Sequence, residues 1–552
     1  MNIDKALLSA VSHFKTGNIS KAEDICKRII DKKSNNIRAI HLLGEIYYSL
    51  KKYDLARKYL MKELELNHAN ADSFFRLGFI LQGTGEFEDS IRFYQKALTL
   101  NPNMVDAYNN LGSIFQQSKG QLDKAISYYE MALSMDPKHA GACYNLGSAF
   151  HKKEDLNKAV SYYLKSIQIN PKHAPSHFNL GSAFFEKGEL SEAKIYFMKT
   201  LQLDPGNARA YSNLGIVFQE SGQLEEAMLE NQRALKANPH LLEAHFNIAT
   251  INLLQGNFAE GWKGLEYYRT INKSKFPPVS SQSLWDGSDI SGKTILLFEE
   301  SGFGDTIQFV RYSSMAANTG AQVILVCHKE LKPLLQNMNP SHPVFSFDES
   351  LPHFHFHCPL LRLPLLFKTN LDNIPHEIPY FHIPLELQQQ WNKKLMGNRQ
   401  GLKVGLAWGG NPRLKRNRYR SCPLTDFIPL FRLPDITFFS LQKGPAAEQI
   451  NNQPEIIHII DYTEEMHDFS DTAAFILNLD LIISVDTAVA HLAGALGKPV
   501  WTLLQYAPEW RWMLDREDSP WYPTMRLFRQ TEPGDWNSVM RRVTDDLKAL
   551  LQ

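Results

Sequence analysis

The sequence predicts a multidomain protein in which an all-α solenoid of helix pairs is followed by an α/β half built as two doubly wound lobes. Two observations carry this prediction: a glycine-centred motif that recurs at nearly constant spacing through the first half, and short apolar runs that alternate with helical periods through the second. A Pro/Ser-rich stretch, "NKSKFPPVSSQS" at 272–283, divides them. At 552 residues the chain exceeds what one core usually organises, and its length corresponds to roughly three to four domains.

In the first half, Gly44, Gly78, Gly112, Gly147, Gly181 and Gly215 are separated by 34, 34, 35, 34 and 34 residues, in contexts such as "YNNLGSIF" and "SNLGIVFQ". That is the period of tetratricopeptide repeats. Twelve residues after most of these glycines stands a small residue (Ala56, Ala159, Ala193, Ala227, with Ala125 one place later), and four further on a Tyr or Phe is expected. Small residues let paired helices approach, rings fill the gap, and Pro102, Pro137, Pro171, Pro205 and Pro239 close the units. Residues 3–36 and 241–270 read as degenerate end units, giving about eight repeats over 1–271. Asn110, Asn145, Asn179, Asn213 and Asn247 share one register on the first helix of their units. An amide that donates and accepts at once suits a groove that grips the backbone of an extended peptide, and equally suits hydrogen bonds between repeats. The ladder resembles that of the superhelix of O-linked N-acetylglucosamine transferases.

In the second half, "TILLFEE", "AQVILVC", "LKVGLAW", "ITFFSLQ", "LDLIISV" and "KPVWTLL" read as buried parallel strands joined by crossover helices. They divide into an N-terminal lobe at 284–390 and a C-terminal lobe at 391–552. In such sheets ligands bind beyond the carboxyl ends of the strands. "GSDISGKT" at 287–294 matches a P-loop expression but precedes its strand rather than following it, so it is not read as a nucleotide loop. "ESGFGDTIQFVRY" at 300–312 is better placed: Gly302 and Gly304 permit close backbone approach at a strand-to-helix turn. Asp305 then projects into the cleft or simply caps the helix.

In "SVDTAVAHLAGALGKPVW" a strand delivers Asp486 to the sheet edge and a helix begins at Thr487. Its first free amides, around Thr487 to Val489, form a cradle for phosphate. Asp486 reads as the cap, and Thr487 and His491, four apart, share a face. A basic run, "WGGNPRLKRNRYRSCPL" at 408–424, follows another strand, and Gly409, Gly410 and Asn411 open it. Its cations suit a diphosphate. "HFHFHC" at 353–358 spaces three imidazoles along about 13 Å of extended chain, which argues against a metal and for a polar strand face. The aromatic tail "PEWRWMLDREDSPWYPTMRLFRQ" receives no catalytic role: closure of its rings over a sugar or base and packing of the C-terminal helix on the first lobe explain it equally well.

With these pieces in order, residues 284–552 resemble the heptosyltransferase-type glycosyltransferases of family nine, as fused to tetratricopeptide repeats in bacteria. "GFGDTIQFVRY", "GLAWGGNP", "RSCPL", "SLQKG" and the DTxxxHLxxAL segment carry the likeness. The resemblance implies a GT-B fold of two Rossmann-like lobes, a nucleotide-sugar co-substrate, no metal and no cofactor, and inverting transfer. It implies that Asp305 is the base. It places Asp486, Thr487, Ala488 and His491 at the donor diphosphate and sugar, and Arg420 as a basic diphosphate ligand. The repeats would then recruit a polypeptide or partner. A repeat scaffold whose transferase-like part has lost turnover, and a transferase acting on a saccharide or lipid-linked acceptor, are the alternatives.

Composition narrows the partners. Lys and Arg total 59 and Asp and Glu total 59, so no global field exists to hold nucleic acid. The five scattered cysteines lack a CxxC pair and suit a reducing, cytoplasmic setting. No run is long and apolar enough to suggest a membrane span.

Overall fold

The computed structural model describes residues 2–118, 120–271, 282–395, 401–412, 417–452 and 458–552. Most of the expected joint, 272–281, and Arg413, Lys415 and Arg416 of the basic run lie outside the described residues. Contacts divide the chain into two compact units, Met1–Pro205 and Gly206–Gln552. The division falls inside the repeat array rather than at the joint.

Among the described residues, sixteen helices from Ile3–Lys15 to Phe258–Ile271 form successive hairpins, and twelve of them lie in the first unit. The recurring glycine earns its place by close approach. A Cβ at Gly112 would come within 2.6 Å of the Tyr129 ring, and one at Gly181 within 3.0 Å of Phe197. Tyr94, Tyr129, Tyr163 and Phe197 are essentially fully buried behind these glycines. Each such ring contributes on the order of 2 kcal/mol of burial. The expected aromatic is not universal: Leu60 fills the place in the second hairpin and Asn231 in the seventh.

The second unit begins with four repeat helices, Ala208–Glu220, Leu224–Ala237, Leu242–Leu254 and Phe258–Ile271. Asn231 has exchanged ring packing for hydrogen bonds: Nδ2 donates to the Ala227 carbonyl (2.8 Å), and Oδ1 accepts from Asn247 Nδ2 (3.0 Å). A buried amide is tolerated here because it is partnered.

Two parallel sheets follow. The first comprises β1 (Ser283–Leu284), β2 (Thr294–Phe298), β3 (Gln322–Cys327), β4 (Val344–Ser346) and β5 (Phe356–Pro359), in the order β1-β5-β2-β3-β4. The second comprises β6 (Leu402–Ala407), β7 (Ile436–Ser440), β8 (Ile459–Asp461), β9 (Leu481–Val485), β10 (Val500–Leu504) and β11 (Met525–Arg529), in the order β11-β10-β9-β6-β7-β8. All six apolar runs of the sequence form strands. The helix Leu385–Leu395 crosses the lobe boundary expected at 390/391, and Trp391 packs edge-on to Phe475 of the second lobe.

One apolar core joins these parts. Phe258, Trp262 and Leu265 of the last repeat share it with Ile295 and Leu297 of β2, Ile482 of β9 and Val500 of β10. The C-terminal helix Trp536–Leu550 packs Val539, Val543 and Leu547 against Val404, Leu406 and Ile483. It therefore covers the second sheet, and the expectation that it lies on the first lobe is corrected. The apolar stripe of that helix matches the β6 and β9 face.

Candidate active site

Two strand-to-helix turns meet where the sheets present their carboxyl ends. After β2 the chain turns through Ser301 and Gly302 into the helix Phe303–Phe309; after β9 it turns through Asp486 and Thr487 into the helix Ala488–Ala495. A Cβ on Gly304 would stand 2.8 Å from His491 Cδ2 and 3.6 Å from Ala488 Cα. Only a glycine lets these turns approach so closely.

Asp305 lies in the first turn of its helix, and its Oδ2 accepts from the Gly302 N–H (3.2 Å). It is thus a local capping group, and its other oxygen, Oδ1, meets the Arg511 guanidinium. The carboxylate remains partly exposed, 20% of its side chain facing solvent. Burial pushes this carboxyl up, but Arg511, Ser301, His491 and the Gly302 N–H outweigh burial and hold it below the usual carboxylate range. Contacts with the Gly302 N–H, Arg511 and Ser301 leave part of the carboxylate's roughly four acceptor sites open.

Arg511 is the residue that sequence reading missed. It sits on the turn Trp510–Trp512 after β10, donates from Nε to Gln308 Oε1 (2.5 Å) and pairs with Glu509 as well as Asp305. Its guanidinium lies 4.3 Å from the Trp510 ring centre. The Trp and Arg density of the tail was the available signal.

The second turn differs in detail from expectation. Thr487, not Asp486, is the N-cap, and its side chain caps no amide; its Oγ1 is 3.0 Å from Ser484 Oγ. The reason lies in the backbone: Thr487 retains extended geometry, so the first helical residue is Ala488. The Asp486 carboxylate instead stands 3.9 Å from His491 Nε2. His491 is buried, its Nδ1 is 3.0 Å from the Tyr522 hydroxyl, and Trp512 stacks on its ring. Burial, opposed by Asp486 and reinforced by Arg511, lowers its pKa to about 4. The imidazole is therefore neutral at pH 7, and the anion it was expected to meet would receive a hydrogen bond rather than a full charge.

The glycine-rich turn after β6 lies beside this one, since Ala407 pairs in register with Ser484. The Trp408 and Gly409 N–H groups both donate to Gln442 Oε1 (2.9 and 2.7 Å), and the Gly409 carbonyl accepts from Gln442 Nε2 (3.0 Å). Gly410 N–H donates to Ser421 Oγ (3.2 Å). These amides are committed internally, so Gly409 and Gly410 shape the turn rather than offer free donors. Asn411 adjoins them and also has an interaction partner. Arg420 lies against Gly410, with Nε buried and lacking a hydrogen-bond partner among the described residues.

The asparagine register is split between the two units. In the first unit, Asn110 Nδ2 donates to the Tyr94 hydroxyl (3.1 Å), Asn145 Nδ2 to Asn109 Oδ1 (2.9 Å) and Asn179 Nδ2 to the Tyr144 hydroxyl (3.2 Å). All three bonds run between neighbouring hairpins. In the second unit Asn213 is half-buried, whereas Asn247 is buried against Ser212 and Asn231. Its expected place in a peptide groove is corrected: the missing ring at 231 draws the amide inward. Among the described residues no three His, Cys, Asp or Glu side chains gather as a metal site, and no helix is long and apolar enough to cross a membrane. All five cysteines are buried free thiols.

Comparison with known families agrees with this layout. A profile for glycosyltransferase family 9 (heptosyltransferase) matches residues 466–543, the stretch holding Asp486, His491 and Arg511. Tetratricopeptide-repeat profiles match 37–70, 67–138, 140–173, 162–195 and 196–228. Protein FlbA of Caulobacter vibrioides is 26% identical over 333 residues, covering 54% of this chain and 54% of FlbA, so the chain spans about half of that relative's length. The tetratricopeptide repeat-containing protein trd-1 of Caenorhabditis elegans is 25% identical over 127 residues, 18% of this chain and 16% of that protein. Among solved structures, MamA aligns at 27% identity over 31% of this chain and 92% of its own, with a TM-score of 0.28. The chain is thus a fusion of tetratricopeptide repeats with a family 9, heptosyltransferase-type glycosyltransferase region.

Proposed function

We propose that the α/β half, a GT-B transferase, moves a sugar from a nucleotide-sugar donor to an acceptor hydroxyl by inverting, metal-independent substitution. The observation that carries this reading is the seating of the Gly304–Asp305 turn on the start of the helix at Ala488, through a gap that only glycine fits. In this reading the uncapped amides at Thr487 to Val489 receive the donor diphosphate, with Arg420 Nε, which lacks a hydrogen-bond partner among the described residues, as a second donor. Neutral His491 donates one hydrogen bond near the leaving oxygen. Asp305, ionised at neutral pH, takes the acceptor proton as the anomeric C–O bond to the diphosphate breaks.

The repeats recruit a polypeptide partner, with Asn110, Asn145 and Asn179 presenting amide groups along the first unit. Replacing all three by Ala would lower turnover of a protein acceptor while leaving small-acceptor turnover intact; equal turnover on both would reject this role.

The decisive test incubates the full chain with UDP-, GDP- and ADP-linked sugars and measures nucleoside diphosphate release with peptide and saccharide acceptor libraries. Asp305→Asn is expected to lower kcat by about 10²–10⁴-fold with donor binding retained. Donor binding without turnover in the wild-type chain would support the scaffold instead.

A further inference from the structure

We infer that the last repeat hairpin belongs to the catalytic apparatus, with Arg269 and Trp262 as positioning residues for the turn that carries Asp305. The inference rests on the transferase reading above and adds the route by which a repeat helix acts on the proposed base.

Both residues project from the helix Phe258–Ile271. Arg269 forms a bidentate fork with Glu300, Nε to Oε2 at 2.6 Å and Nη2 to Oε1 at 2.5 Å, and the two side chains are only 11% and 6% exposed. Glu300 stands two residues before Gly302, whose N–H holds Asp305 Oδ2. Glu266, one turn earlier on the same helix, pairs with Arg269 and lies 3.3 Å from Arg362, so the fork is anchored on both sides. A buried bidentate pair of this kind fixes orientation as well as distance.

The second grip comes from Trp262. Its Nε1–H donates to the Thr369 carbonyl (2.9 Å), which fixes the indole, and its ring meets Trp510 edge-on at 5.3 Å. Trp510 in turn carries the Arg511 guanidinium that contacts Asp305 Oδ1. One repeat helix therefore reaches each oxygen of the Asp305 carboxylate through two intermediaries, Glu300 and Gly302 to Oδ2, and Trp510 and Arg511 to Oδ1. The geometry exceeds what simple adhesion of a solenoid to a sheet requires, because both routes converge on a single side chain.

The experiment measures nucleoside diphosphate release by the full chain from the same donor panel, with thermal melting of every variant. Arg269→Gln and Glu300→Gln are expected to lower kcat tenfold or more with donor KM changed less than twofold, and Arg269→Lys to recover part of the loss. Trp262→Leu is expected to move the acid limb of the kcat profile to higher pH, because a displaced Arg511 no longer favours ionised Asp305. Amide hydrogen exchange at 300–306 should quicken in folded Glu300→Gln, a readout that stands even if Arg269→Gln folds poorly. Unchanged kcat and exchange in folded variants, with Asp305→Asn inactive, would overturn this inference alone. Full activity of Asp305→Asn would overturn Asp305 as the base on which both routes converge, and donor binding without turnover in the wild-type chain would overturn the transferase reading beneath it.

Discussion

The two turns that leave β6 and β9 are neighbours in one sheet, yet their backbone donors are differently occupied. The turn after β6 has the richer sequence, two glycines and an asparagine, and its amides are spoken for by Gln442 and Ser421. The turn after β9 has no glycine, and its helix start has no side-chain cap. A glycine-rich loop at a strand end is thus a poor guide to anion binding on its own. What decides is whether the backbone donors already have acceptors.

The sharpest way to test that contrast is Gln442→Leu, which strips partners from the Trp408 and Gly409 N–H groups and the Gly409 carbonyl. Leaving buried polar groups unpaired should cost about 3–5 kcal/mol of folding stability, read from denaturant midpoints. Donor affinity of the surviving folded protein should change little; a donor-specific loss without destabilisation would erase the distinction between the turns.

Acid sensitivity is the next largest effect. His491 is held at about 4 against an ordinary 6.5, chiefly by burial. Because its folded pKa is depressed, the stability it contributes is complete above pH 6.5 and is lost as pH falls toward 4, on the order of 3 kcal/mol. Comparing denaturant midpoints at pH 7 and pH 4, His491→Gln should lose that share of the difference.

At the open turn, Thr487→Asp supplies a carboxylate cap to the uncapped amides. Stability should hold or rise by about 1 kcal/mol, while donor binding by calorimetry weakens 10–100-fold, about 1.4–2.7 kcal/mol. Unchanged donor affinity would show that the phosphate sits elsewhere. Arg420→Ala should weaken donor binding about tenfold, with a smaller effect on melting.

The contrast also explains what the sequence could and could not disclose. The 34-residue period and the six apolar runs were readable because solenoids and buried parallel strands impose local repetition. Asp305 and the DT turn were readable because they occupy strand ends. Arg511 was not, since its partner Asp305 lies 206 positions away and no local pattern joins them. Asp486 was misassigned as the cap because a single residue of extended backbone at Thr487 shifts the helix start. The commitment of Gly409 to Gln442 was equally hidden, because a glutamine after β7 carries no mark of its target.

The core shared by Phe258, Trp262, Leu265 and the β2 strand has a practical meaning for anyone dividing this gene. The fused halves are not interchangeable cassettes. A fragment ending at residue 271 would leave those three side chains facing water, and a fragment starting at 282 would lose the floor beneath its own sheet. Recombinant boundaries drawn near Gly206 respect the chain's own seam.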